Sequence, residues 1–212
     1  MLKKFFVSAI LLLAVLSFVV SLLKGNNNDE VVTVQDRVAV IDIEGTIMSG
    51  SAEENLFGQA SGVTSGSIMK QIREAAADDS VKALVLRIDS GGGSATAAEE
   101  ISRELLRFKT ETKKPIVAAI GDMGASAAYW IAACCSDKIY ANATTLTGSI
   151  GVYMPYMNTE ELYKKIGITS EKIKSGPYKD ILSNDRPMTA EEKIILQNIV
   201  NEIYESFIAT VA

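Results

Sequence analysis

Hydrophobic positions follow three distinct patterns along the chain. From Phe5 to Leu23 they are nearly continuous, with only Ser8, Ser17 and Ser21 as polar members. This run of about 19 residues is close to the ~20 that cross a bilayer as a helix. Lys3 and Lys4 precede it, and Asn26, Asn27, Asn28, Asp29 and Glu30 follow Lys24. The excess of positive charge on the N-terminal side predicts a cytoplasmic N-terminus and an exported remainder. The run exceeds the apolar core of a signal peptide and does not end in an A-x-A pattern, so an uncleaved anchor is expected. Residues 1–24 therefore read as cytoplasmic N-terminus and transmembrane helix, 25–36 as a polar linker, and 37–212 as one folded domain.

In that domain short β-rich runs alternate with helical periods. Arg37–Glu44, Val81–Ile88, Pro115–Ile120 and Lys138–Ala141 read as strands. Ser67–Ala77 and Thr96–Phe108 carry apolar residues at i, i+3 and i+4 on a charged background, as amphipathic helices do. Strands alternating with helices of this length predict parallel pairing through right-handed crossovers, hence an α/β layered fold. Ser49–Ser65, rich in Gly, Ser and Ala, reads as a mobile surface loop. Thr189-Ala-Glu-Glu192 has capping-box spacing and opens an amphipathic helix that runs to the end of the chain. That helix meets no Gly, Pro or polar tail at Thr210-Val-Ala212, so the natural sequence is expected to continue.

Composition narrows the chemistry. The net charge of -5, with scattered basic residues, gives no footprint for nucleic acid. There is no histidine at all, which excludes Ser-His-Asp and Cys-His catalysis and histidine-ligated zinc. The two cysteines, Cys134 and Cys135, are adjacent. Neighbouring helical residues diverge, so a disulfide between them is geometrically poor, and zinc would lack further ligands. They read as small buried residues, and no metal or cofactor is expected.

Three Gly/Ser-rich junctions follow strands. Asp89-Ser-Gly-Gly-Gly-Ser94 could aim backbone N–H groups at an anion, although such a run is by itself more often plain turn chemistry, and it lacks the endings of a phosphate loop. Gly121-Asp-Met-Gly-Ala-Ser126 leads into a helix opened by Ser126, whose neighbours Gly124, Ala125, Ala127 and Ala128 have almost no bulk. A serine there is ordinarily an N-cap. The positive helix end, the tiny neighbours and the Ala127 N–H also suit an oxyanion. In Thr145-Leu-Thr-Gly-Ser-Ile-Gly151, Ser149 reads as a turn residue that could also bond a buried amine. Without histidine, a base for Ser126 would be a lysine made neutral by burial. Lys172, Lys174 and Lys179 are the candidates, and spacing does not choose among them.

Together these motifs resemble the signal peptide peptidase A family, bacterial membrane-bound serine peptidases with a Ser/Lys dyad. Asp89–Ser94, Gly121–Ser126, Leu146–Gly151 and Lys174-Ser-Gly-Pro-Tyr-Lys179 occur in the family's order. The resemblance implies Ser126 as nucleophile, Lys179 as base, Ser149 holding the lysine amine, and oxyanion donors at the backbone of Gly93 and Ala127. It implies a Clp protease/crotonase-like layered fold behind the transmembrane helix. The implied substrates are remnant signal peptides in the bilayer of the inner membrane, with misfolded membrane proteins as further candidates. A ring-shaped homo-oligomer is also implied, in which serine and lysine can come from different subunits. Gly91 stands where the family commonly has proline, which loosens that turn. A crotonase-like acyl-thioester enzyme and a non-catalytic membrane scaffold are the rival readings. The first lacks an obvious acid/base carboxylate, and the second leaves Ser126 and Lys179 without a use.

Overall fold

The structure, a computed structural model, describes residues 35–51 and 62–212. The expected anchor and nearly all of the linker lie outside the described residues. Among the described residues no helix is long and apolar enough to cross a membrane.

The elements run β1 (Arg37–Met48), β2 (Gly62–Thr64), α1 (Ser65–Ala77), β3 (Val81–Gly93), α2 (Ala95–Thr112), β4 (Ile116–Ala125), α3 (Ala127–Cys135), β5 (Lys138–Ala141), β6 (Leu146–Gly148), α4 (Glu160–Lys165) and α5 (Ala190–Val211). The sheet order is β2-β1-β3-β4-β5, with β6 also on β4, and every pairing is parallel. The expected α/β fold with a parallel sheet is thus present.

Register and the two-residue period of a strand place the core on one face. Ile41 pairs with Leu86 and Ile43 with Ile88, while Leu84, Leu86 and Ile88 pair with Ile116, Ala118 and Ile120. All eight are buried and join one cluster with Ile68 and Ile72 of α1, Ile101, Leu105 and Phe108 of α2, and Ile131 of α3. Each fully buried Ile or Leu contributes about 1.5–3 kcal/mol relative to exposure. On the opposite face Arg87 pairs with Asp42 at 2.6 Å and Glu44 at 3.1 Å, all three exposed. The helices start where side chains satisfy free N–H groups. Thr64 accepts from the Ser67 amide, Ser94 from the Ala97 amide, and Thr189 and Glu192 form the expected capping box.

Two expectations need correction. Asp89–Gly93 is strand, not a turn beyond it: β3 runs on to Gly93, with Gly92 opposite Thr46 and Gly93 opposite Ile47. Glycine reads as turn from sequence, yet pairing with β1 decides its conformation. The end of the expected loop before α1 is likewise strand, β2 lying on β1; residues 52–61 of that loop lie outside the described residues. The strand β6 and the short helix α4 are additions to the expected elements. Cys134 and Cys135 are free thiols, half-buried and buried, with sulfurs 2.9 Å apart, packed as small core residues at the end of α3.

Candidate active site

Ser126 stands between the last residue of β4 and the first of α3. Its backbone has φ 55° and ψ -126°, and its side chain makes no capping hydrogen bond. A non-glycine residue in this region costs about 1–3 kcal/mol and persists only when its surroundings impose it. Here the Ser126 amide donates to Gly148 O at 2.9 Å, and Ser126 O accepts from the Trp130 amide at 2.9 Å. Thr147 Oγ1 bonds Gly124 O at 3.1 Å. The strained strand-to-helix turn frees the hydroxyl from the ordinary N-cap role and is the geometry of a nucleophile elbow.

Gly92, which the sequence reading passed over for Gly93, allows that turn to close. Its φ is +101°, and a Cβ there would lie 2.8 Å from Ser126 Cβ, 2.8 Å from Ala125 O and 2.9 Å from Ala127 N. Ser90 Oγ accepts from the Gly92 amide at 3.0 Å and donates to Gly45 O at 2.5 Å, so the glycine segment is tied to β1. Gly92→Ala is expected to destabilise the fold by about 1–3 kcal/mol and to reduce turnover by displacing Ser126. Thermal unfolding and steady-state rates check both parts; a variant with wild-type values in both would refute the close approach.

Two cavities open onto Ser126. One, of about 410 Å³, is lined by Gly91, Gly93, Ser126, Ser149, Gly151 and the Val152–Tyr153 segment. The other, of about 320 Å³, adds Ala127, Trp130, Met154, Val200, Ile203 and Phe207. Its floor is the stack of Trp130 on Phe207, with ring centroids 4.8 Å apart. Ser126 and Gly93 line both cavities, Ser149 the first and Ala127 the second. Ser149 itself has φ 51°. The Trp130–Phe207 floor was missed by sequence reasoning. The apolar face of α5 was visible, but not the cavity it lines.

Lys179 does not line either cavity. It is exposed, on a turn. The structure does separate the three lysines. Lys172 binds Asp185 and Ser183, and Lys174 binds Asp180 at 2.6 Å and Pro177 O at 3.2 Å. The Lys179 ammonium has no such partner among the described residues. Lys172 and Lys174 are thus each engaged with a carboxylate, and Lys179 is not.

Around this turn runs a connected set of charges. Arg186 donates through Nε to Asp180 Oδ2 and through Nη2 to Asp180 Oδ1, both at 2.9 Å. Its Nη1 donates to Glu192 Oε2 at 2.8 Å, and Nη2 reaches Glu192 Oε1. Arg186 and then Lys174 hold the Asp180 carboxyl well below the usual range. Arg186, with the Thr189 amide, lowers Glu192 to about 2. Lys172 is the main cause of the lowered Asp185.

Comparison with known proteins assigns the chain. Residues 108–212 match the family described as Peptidase family S49. The chain is 38% identical over 176 residues to the "Putative protease slr0021" of Synechocystis sp., covering 83% of this chain and 57% of that protein. It is 34% identical to "Protease 4" of Haemophilus influenzae, covering 84% of this chain and 28% of that protein. It is 32% identical to the "Putative signal peptide peptidase SppA" of Enterococcus faecium, covering 83% of this chain and 50% of that protein. The chain thus spans about half or less of the length of these relatives. Among solved structures, the "1510-N membrane-bound stomatin-specific protease S97A mutant" overlays with a TM-score of 0.39 at 20% identity, covering 58% of this chain and 51% of that one. That overlay is too slight to carry an argument. The sequence relationships are clearer: residues 108–212 belong to peptidase family S49, and most of the chain is similar in sequence to proteins named as SppA-type peptidases.

Proposed function

We propose that this chain is a membrane-anchored serine endopeptidase working through a Ser126/Lys179 dyad. Neutral Lys179 takes the proton of Ser126 Oγ as that oxygen attacks the peptide carbonyl carbon. The resulting oxyanion is received by the backbone N–H groups of Gly93 and Ala127. The proton passes to the leaving amine as the C–N bond breaks, giving an acyl-enzyme that water hydrolyses with the same lysine as base. Ser149 holds the amine of the lysine. No cofactor enters this scheme. The observation that carries the reading is the strained Ser126, whose hydroxyl is left uncapped beside a cavity.

Lys179 comes from a second copy in this scheme, within a ring-shaped homo-oligomer. Its exposure supports that, as do the exposed Tyr178, Ile173, Tyr153 and Met157 near the two segments involved. Residues 1–24 form the anchor, with the N-terminus in the cytoplasm and the peptidase domain outside the inner membrane. The layering is Clp protease/crotonase-like, a reading supported by the motif order and the parallel sheet.

The substrates are remnant signal peptides and other apolar membrane or misfolded peptides. The apolar lining of the second cavity by Trp130, Ile203 and Phe207 supports this class. Detergent-solubilised full chain is expected to cleave an apolar peptide. Placing Asp before the scissile bond is expected to lower kcat/KM on the order of 10²-fold, because the cavity leaves a buried carboxylate unpaired. Equal cleavage of both peptides would overturn the substrate class, and cleavage of neither would overturn the activity.

A further inference from the structure

Between α4 and α5, residues 166–189 form neither helix nor strand. Lys179 sits in this stretch, and the backbone bonds beside it are turn bonds: Lys179 N to Gly176 O at 3.3 Å, Ile181 N to Tyr178 O at 3.1 Å and Ser183 N to Asp180 O at 3.0 Å. Longer-range ties come only further along, where Thr159 N donates to Asn184 O at 2.6 Å and Tyr156 Oη to Arg186 O at 2.5 Å. A general base has to come within hydrogen-bond reach of its proton, and a displacement of 1 Å can cost about 10²-fold in rate. Something other than a backbone ladder has to fix the lysine.

We infer that Asp180, Arg186 and Glu192 are positioning residues that register the Lys179 turn against the start of α5. This rests on the reading of Lys179 as base. Asp180 is the next residue after Lys179, and its side chain is only 10% exposed. Lys174 closes the turn from the other side by binding Asp180, so the loop 174–180 is pinned at both ends of one carboxylate. Arg186 grips that carboxylate as a fork and turns its remaining donors to Glu192. Glu192 is 1% exposed and also accepts from the Thr189 amide at 2.8 Å within the capping box. The line of contacts runs from the first turn of a 22-residue helix to the residue beside the base.

A purely stabilising role explains this arrangement poorly. Desolvation offsets much of the attraction in buried ion pairs, whereas their fixed geometry serves well to set a register. Arg186 suits that use because its planar fork meets a carboxylate in one orientation. The cluster leaves the Lys179 ammonium outside the network while holding the neighbouring Cα in place. Lys172 and Lys174 are spent on the framework, and Lys179 is presented by it.

The test is a double-mutant cycle in the full chain with an apolar peptide as substrate. Arg186→Met is expected to lower kcat about 10- to 100-fold with KM within about twofold. In a Lys179→Ala background it is expected to cause no further loss, because there is no base left to place. Where residual hydrolysis is too slow to follow, the rate of Ser126 phosphonylation gives the same comparison. Equal fold losses in both backgrounds would show a merely structural role and overturn the inference, as would an Arg186→Met kcat within twofold of wild type. Full activity in Lys179→Ala alone would instead sink the underlying assignment of the base. Asp180→Asn keeps the side-chain volume while removing the charge, and is expected to give the same pattern if Arg186→Met does not fold.

Discussion

Ser126→Ala is expected to lower kcat for peptide hydrolysis on the order of 10⁴-fold or more while leaving KM within a few-fold. Removing a nucleophile abolishes the covalent route but leaves the oxyanion donors and the binding cavity, so a small residual rate above the uncatalysed reaction remains. The backbone argues for a specific loss here. Ser126 makes no side-chain capping bond, so truncation removes no contact that the helix needs. The positive φ is expected to persist in the variant, because the Ser126 N to Gly148 O bond does not involve the side chain. Unfolding midpoints within a few degrees of wild type, together with the loss of turnover, check this. Turnover within about tenfold of wild type would exclude Ser126 as nucleophile.

Lys179→Ala is expected to be the second largest effect, on the order of 10²- to 10⁴-fold in kcat, the range for loss of a general base. A Lys179→Ala kcat within about tenfold of wild type would exclude Lys179 as the base. Lys172→Ala and Lys174→Ala separate the alternatives, since both lysines are engaged with carboxylates. They are expected to act through the loop and to lose less kcat than Lys179→Ala does.

The main strands and helices were legible because alternating β-branched residues and the i, i+3, i+4 pattern report burial directly. Val81–Ile88, with Leu84, Leu86 and Ile88 buried at alternate positions, needed little more than this. Gly91–Gly93 was not legible as strand, since its conformation comes from pairing with Thr46 and Ile47, far away in sequence. Ser126 could be singled out from its small neighbours and helix-start position. Its positive φ and free hydroxyl could not, because the tie to Gly148 and the close approach of Gly92 impose them. Lysine choice was open at the level of spacing for a similar reason. The contacts that occupy Lys172 reach Ser183 and Asp185, and no local pattern announces them. The cavity floor joins Trp130 of α3 to Phe207 of α5, a tertiary contact with no sequence signature beyond an apolar residue on each helix.

The central claim is that Ser126 is the nucleophile activated by Lys179, and covalent labelling tests it most directly. The detergent-solubilised chain would be treated with an apolar peptidyl phosphonate at alkaline pH, digested, and mapped by mass spectrometry. A single adduct on Ser126 is expected, formed rapidly in wild type, slowed in Lys179→Ala and absent in Ser126→Ala. An adduct on Ser90, Ser94 or Ser149 instead, or an undiminished labelling rate in Lys179→Ala, would contradict the account.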